Sequence, residues 1–301
     1  MNESIVFKSI KASNYGKLSS ISVNNSAILL ENNFIEGIKK VVKSKFNLAI
    51  NDVDVKIMSY SQHSQSDGNG YIEKRKLWSL LHDNEYLALF LYDKYNVFPK
   101  LVGTCGTFYA VQRLNSISGY KHLVSLYDSH AEWAKRVKIS IMILDFLLQL
   151  EEIFPEPMLI CDVKMNNFRV TSDFKKVKYI NLDSIHPLSV ANRITGDGSN
   201  CKRHSDCDLF DCRSFCNLIT YKCQHGVVNN NLQIVCEKIF LGWMLSGRIM
   251  ISGLLMGSRT PAILVEILEE CANPFSENGT PRAQATKEIR KRLYNFLVHF
   301  I

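Results

Sequence analysis

Apolar positions recur along the chain with two periods. Across residues 34–46 they fall at Phe34, Ile38, Val41, Val42 and Phe46, a spacing that places them on one helical face with basic residues opposite. Residues 77–92 predict one strongly apolar helix, with Trp78, Leu80, Leu81, Leu87 and Leu91 as a core stripe and Glu85 as the acid within it. Residues 133–154 predict a long amphipathic helix, with Val137, Ile141, Leu144, Leu148 and Ile153 on one face and Pro155 as its stop. Further helices are predicted at about 230–245, 261–272 and 282–300, the last with Ile289, Leu293, Phe296 and Leu297 on one face. Shorter runs read as strands. Tyr15-Gly16-Lys17-Leu18, followed by Ile21, Val23 and residues 27–30, predicts a strand pair around a polar turn at Asn24-Asn25. Residues 98–103 lead through Cys105-Gly106 into an aromatic strand at 107–114, and strands are also predicted at 158–160 and 177–183.

Composition sets the scale. The chain has 301 residues, 46% hydrophobic and 22% charged, enough for a two-lobed domain or two ordinary domains. Its net charge of +7 is spread along the chain, and the densest clusters, at 39–45, 74–76 and 287–292, read as solvated helix faces rather than a nucleic-acid site. The longest apolar run, 139–148, is broken by Ser140 and Asp145 and cannot span a bilayer. The first ten residues contain Glu3 and Lys8 and lack the continuous apolar stretch of a secretory signal.

The cysteines point elsewhere. Five of the nine fall in one polar segment, Cys201, Cys207, Cys212, Cys216 and Cys223. So polar a segment cannot order itself by apolar burial and needs a cross-link or a metal. The intervals contain no C-x-x-C pair of the kind zinc usually recruits, which favours disulfides. The fifth cysteine then needs a partner outside the cluster, and Cys236 or Cys271 could provide it; Cys105 and Cys161 could be buried thiols or a pair. Disulfides imply an oxidising compartment, and glycosylation sequons at Asn2, Asn24 and Asn278 are compatible with one. With no leader in the sequence, a lumenal protein implies that a leader or membrane anchor lies outside this chain.

Candidate chemistry centres on Ile160-Cys161-Asp162-Val163-Lys164-Met165-Asn166-Asn167, the D-x-K-x-x-N part of a protein-kinase catalytic loop. In that chemistry an Asp takes the acceptor hydroxyl proton, a Lys neutralises charge on the transferring phosphoryl group, and the Asn holds a magnesium ion. Glu85 is placed to pair with a strand lysine that contacts nucleotide phosphates. Spacing from Asn167 puts Asn181 near the position of the metal aspartate and Asp183 two residues on; strand alternation would turn both to one face, and Asp183 is preferred as the ligand. Residues 64–76 resemble a calcium loop, but its first and twelfth positions fall on Gln65 and Lys76. A lysine in place of a bidentate carboxylate argues against calcium.

Together these residues resemble the divergent protein kinase domain family of cysteine-rich, endoplasmic-reticulum type II membrane proteins. The resemblance rests on Trp78-x5-Asn84-Glu85-Tyr86-Leu87, Pro99-Lys100-Leu101-Val102-Gly103-x-Cys105-Gly106, Cys161-Asp162 with Asn167, and Ser205-Asp206-Cys207 to Asp211-Cys212-Arg213-x-x-Cys216. It implies an α+β, two-lobed protein-kinase-like fold, with an N-lobe over 1–113 carrying a degenerate EF-hand-like insert near 64–76. The C-lobe would cover 114–301 with a disulfide-rich insert at 201–223. It also implies a lumenal location, ATP with Mg or Mn as cofactors, and membrane attachment only through an anchor absent from this chain. The partners would be nucleotide and a lumenal protein or glycan, with no nucleic acid.

The chain departs from the family at several points. No strand lysine is evident between the first hairpin and the insert, Lys17 lies within that hairpin, and Lys40 and Lys43 lie on a helix. The first hairpin carries a single glycine, Gly16, and Ile160-Cys161 replaces the His-Arg of ordinary kinases. Two functions are open: a lumenal kinase using Asp162, Lys164, Asn167, Asp183 and Glu85, or a pseudokinase that works as a partner-binding scaffold.

Overall fold

The computed structural model describes residues 4–9, 31–60, 70–117, 129–245 and 248–300. The strand pair expected at 15–30, the first part of the calcium-like loop and the sequons at Asn2 and Asn24 lie outside the described residues. Contacts divide the chain into two compact units: the described residues up to Leu114 together with Tyr179–Asp183, and Asn115–Lys178 together with Ser184 onward.

The first unit is built on a three-stranded antiparallel sheet of β1 (Ile5–Ser9), β2 (Leu101–Cys105) and β3 (Phe108–Gln112), with β3 central. Lys8 lies opposite Tyr109 in this register. The two-residue turn between β2 and β3 starts at Gly106, whose φ of 64° is the left-handed value such turns demand. Four helices accompany the sheet: α1 (Glu31–Phe46), α2 (Asp52–Tyr60), α3 (Gly70–Leu81) and α4 (Asn84–Tyr92). Phe34, Ile38, Val42 and Phe46 of α1 are buried, as their spacing predicts.

The single helix expected over 77–92 is two helices. Asp83 ends the run because its carboxylate accepts the Tyr86 N–H at 2.9 Å and starts α4 as an N-cap. Lys45 of α1 donates to the carbonyls of Leu81 and His82 at 3.4 and 2.8 Å, satisfying the end of α3. Glu85 therefore stands in the first turn of α4 rather than near a helix middle, where the helix dipole favours a carboxylate.

The second unit is organised by α5 (His130–Glu152), capped by Ser129, whose hydroxyl accepts the Glu132 N–H at 3.2 Å. Val137, Ile141 and Leu144 are buried, but so are Trp133, Ile143, Phe146, Leu147 and Leu150, while Leu148 and Ile153 are exposed. The expected single stripe fails because β5 (Met158–Ile160), α7 (Asn231–Val235) and α9 (Lys287–Val298) all pack on this helix. Strand β5 pairs antiparallel with β8 (Ile185–Pro187). A second small sheet holds β4 (Asn115–Ser116), β6 (Phe168–Val170) and β7 (Val177–Tyr179), and α6 (Leu188–Thr195) follows β8. The helix expected over 230–245 stops early: α7 runs into a π-helical turn, Cys236–Leu241, and Gly242 at φ 100° redirects the chain. That conformation is open to glycine, and the hairpin of β11 (Gly242–Leu245) and β12 (Arg248–Ser252) follows it. Helix α8 (Ala262–Ala272) and α9 complete the unit.

Eight of the nine cysteines are paired: Cys161–Cys212, Cys201–Cys216, Cys207–Cys223 and Cys236–Cys271. The outside partner of the cluster is thus Cys161, not Cys236 or Cys271, which bond to each other and tie the π turn to α8. Cys105 is an exposed free thiol rather than a buried or paired one. Two strands, β9 (Cys216–Asn217) and β10 (Lys222–Cys223), give the segment its only ladder among the described residues. Two forked ion pairs anchor the segment to the C-terminal part of the same unit. Arg213 meets both oxygens of Glu237 at 2.8 Å and donates to the Pro281 carbonyl, and Arg282 meets both oxygens of Asp208 at 2.6 and 2.8 Å. Among the described residues no helix is long and apolar enough to cross a membrane.

Candidate active site

In the first unit the site is assembled around a buried carboxylate. Glu85 Oε1 takes the Lys8 ammonium at 2.6 Å and the Asn181 backbone N–H at 3.1 Å, and the Tyr109 hydroxyl donates to Oε2 at 3.4 Å. The donors come from β1, β3 and the segment after β7. Three donors satisfy a group that would otherwise be costly to bury. Lys8 is a strand lysine that the sequence reading passes over, because it lies on β1, ahead of the stretch between the first hairpin and the insert where none is evident. It ends Ile5-Val6-Phe7-Lys8, which has the form of the V-A-I-K strand motif, and that pattern was the signal for it.

Asp183 belongs to the same unit but is placed differently from the sequence expectation. Strand β7 ends at Tyr179, Asn181 takes a left-handed φ of 64°, and residues 182–184 form a 3-10 turn. Strand alternation therefore does not relate Asn181 to Asp183, and the argument that they share a face does not hold. Asp183 and Asp83 instead act on Lys45 and Tyr109. Burial pushes the Lys45 ammonium down to about 8, against the opposing pull of these two carboxylates. Burial raises the Tyr109 phenol far above its ordinary value, and the charges of Glu85, Asp83 and Asp183 raise it further. Tyr109 is thus a fixed donor to the carboxylates around it.

In the second unit β5 delivers the Asp162 loop. Asn231, the first residue of α7, holds the strand by accepting the Ile160 N–H at 2.9 Å and donating to the Met158 carbonyl at 2.8 Å. The Cys161 N–H donates to the Ser184 carbonyl at 2.8 Å. Beyond this anchor Asp162 is partly exposed, and Lys164 Nζ lies 2.6 Å from its Oδ2. Asn167 closes a 3-10 turn, its N–H donating to the Lys164 carbonyl at 3.0 Å. The fold brings Asp162 and Lys164 into contact and sets Asn167 one turn on. Asn231 was not distinguishable in the sequence from an ordinary surface polar residue, and Asp211, which holds the same loop from the cysteine segment, stood out only as part of the cysteine motif, with no sign of this contact.

Asn167 of the second unit and Asp183 of the first each carry a side-chain oxygen, the donor type that Mg or Mn takes. Three cysteine sulfurs, of Cys201, Cys207 and Cys223, lie within 4.8 Å of one another, but each is in a disulfide, which leaves no thiolate for zinc.

A family model described as the protein-kinase domain of FAM69 matches residues 77–274, about two thirds of the chain. The matched stretch contains Glu85, the Asp162 loop, Asn181, Asp183 and all four disulfides, and Lys8 lies before it. With helices and small antiparallel sheets in an α+β arrangement and its disulfides in the C-terminal part, this chain belongs to that divergent family of kinase-like domains.

Proposed function

We propose that the chain transfers a phosphoryl group from ATP to a hydroxyl acceptor, with Mg or Mn as cofactor. The observation that carries this reading is the Lys8–Glu85 pair, since a strand lysine held by a helix glutamate is the arrangement that kinases use to fix nucleotide phosphates. Asp162 accepts the proton of the attacking hydroxyl, and Lys164 beside it faces the charge that develops on the transferred group. Asn167 and Asp183 would hold the metal, with Asn181 as the alternative to Asp183. The bound ion would neutralise phosphate charge. Tyr109 and Asn181 keep Glu85 oriented toward Lys8.

A pseudokinase scaffold is the second reading, and Asn181 favours it. If the left-handed Asn181 fills the metal position, the site loses one carboxylate charge. In either reading the four disulfides and an exposed sequon at Asn278 support residence in an oxidising lumen such as the endoplasmic reticulum, with a protein or glycan hydroxyl as acceptor.

Thermal unfolding with ATP tests the reading. A rise in Tm that requires Mg or Mn and is lost in Asp183→Ala supports the kinase. No rise at saturating ATP rules it out.

A further inference from the structure

We infer that Asp211 is a positioning residue for the Asp162 loop, acting from the cysteine segment through bonds on both sides of Asp162. The Asp211 N–H donates to the Cys161 carbonyl at 2.8 Å, and the Val163 N–H donates to Asp211 Oδ2 at 2.7 Å. The residues immediately before and after Asp162 are therefore tied to one side chain and its own backbone. The next residue, Cys212, is bonded through sulfur to Cys161, with a Cα–Cα distance of 4.8 Å. The same short stretch thus carries one covalent and two hydrogen-bonded links to the two residues that flank Asp162.

The clamp is itself braced. Lys238 Nζ lies 2.8 Å from Asp211 Oδ2 and balances the charge, and Asn229 donates to the Asp211 carbonyl at 2.9 Å. Cys161 and Val163 are fully buried, while Asp162 between them keeps part of its side chain in solvent. Fixing the backbone on both sides of a residue fixes its Cα–Cβ direction, so the clamp aims the carboxylate from the backbone, in addition to the Lys164 contact at Oδ2. The inference for the loop rests on geometry alone; its catalytic consequence rests on the phosphoryl-transfer reading.

Amide hydrogen exchange on the oxidised 301-residue chain tests it. In the wild type the Val163 amide exchanges at least a hundredfold more slowly than an open loop amide. Asp211→Ala speeds Val163 exchange about tenfold or more and leaves the Ile160 amide, held by Asn231, unchanged. Asp211→Asn keeps an acceptor for the Val163 N–H and restores most of the protection. In turnover, Asp211→Ala lowers kcat about tenfold with KM for ATP unchanged, and Asp211→Asn recovers it. A wild-type Val163 amide that exchanges like an open loop overturns the inference even if the Ala variant fails to fold. So does unchanged exchange in a folded Asp211→Ala, an Asn variant as impaired as Ala, or a KM that rises in step with the fall in kcat. Absence of turnover in the wild type would reject the proposed function and leave exchange to decide the clamp.

Discussion

Lys8 on the first strand and Glu85 in the first turn of α4 lie 77 residues apart in sequence and meet at 2.6 Å. The glutamate is buried and the lysine largely so, which makes the pair sensitive to loss of either member. Lys8→Met leaves Glu85 with the Asn181 N–H and the Tyr109 hydroxyl but without a countercharge. The expected cost is about 1–3 kcal/mol in chemical denaturation, the range for a charge-assisted buried bond. Glu85→Gln combined with Lys8→Met recovers part of that cost, because no uncompensated charge remains.

The buried fork between Arg213 and Glu237 holds the cysteine segment to α7 and its π turn. Arg213→Ala removes both bonds to Glu237 and the one to the Pro281 carbonyl. A loss of about 3 kcal/mol is expected, since removing Arg213 leaves a partly buried carboxylate with the Gln233 amide as a donor but no countercharge. Urea denaturation with the disulfides intact measures it, and a change under 0.5 kcal/mol, roughly the size of a surface substitution, contradicts the role.

Thiol chemistry checks the pairing. The folded, oxidised chain should react with one equivalent of thiol reagent, at Cys105, with the other eight cysteines reacting only after reduction. Peptide mapping without reduction should recover Cys161 joined to Cys212. Recovery of Cys161 as a free thiol, or joined to Cys105, contradicts it.

Lys45 gives the stability a pH dependence. Its ammonium titrates near 8 in the fold against 10.5 as the ordinary value, so between these pH values the unfolded chain binds the extra proton. Its contribution to unfolding free energy therefore rises with pH over that window, is greatest above 10.5, and is lost as pH falls through 8. Lys45→Met removes this dependence. In a Cys105→Ser background, which prevents disulfide exchange at alkaline pH, wild type should gain stability relative to the methionine variant between about pH 7 and pH 10. A constant difference across that range would show that the ammonium is not desolvated.

Much of the fold is legible where one period of apolar residues persists. Phe34, Ile38, Val42 and Phe46 mark α1 because a helix buried on one side needs that spacing. The same reasoning fails on α5, which is buried on several sides and loses its single stripe. It also runs through Asp83, because a capping residue inside an apolar stretch does not disturb the periodicity that surrounds it. The Asp162 loop is local and can be read from a few consecutive letters. Lys8, Asp211 and Asn231 act on partners 48 to 77 residues distant, so their roles exist only after folding. The bond between Cys161 and Cys212 spans 51 residues and depends on the same tertiary approach. Asn181 illustrates a further limit: a single left-handed residue ends the strand geometry from which its neighbours' directions were inferred.

The central claim is that Lys8, Glu85 and Asp162 serve phosphoryl transfer, and ADP formation from ATP with Mn tests it most directly. Wild type should form ADP, Asp162→Asn should lower kcat by about a hundredfold or more while retaining the ATP-dependent rise in Tm, and Lys8→Met should lower both. Wild-type ADP formation equal to that of a Lys8→Met, Asp162→Asn double variant would contradict the account.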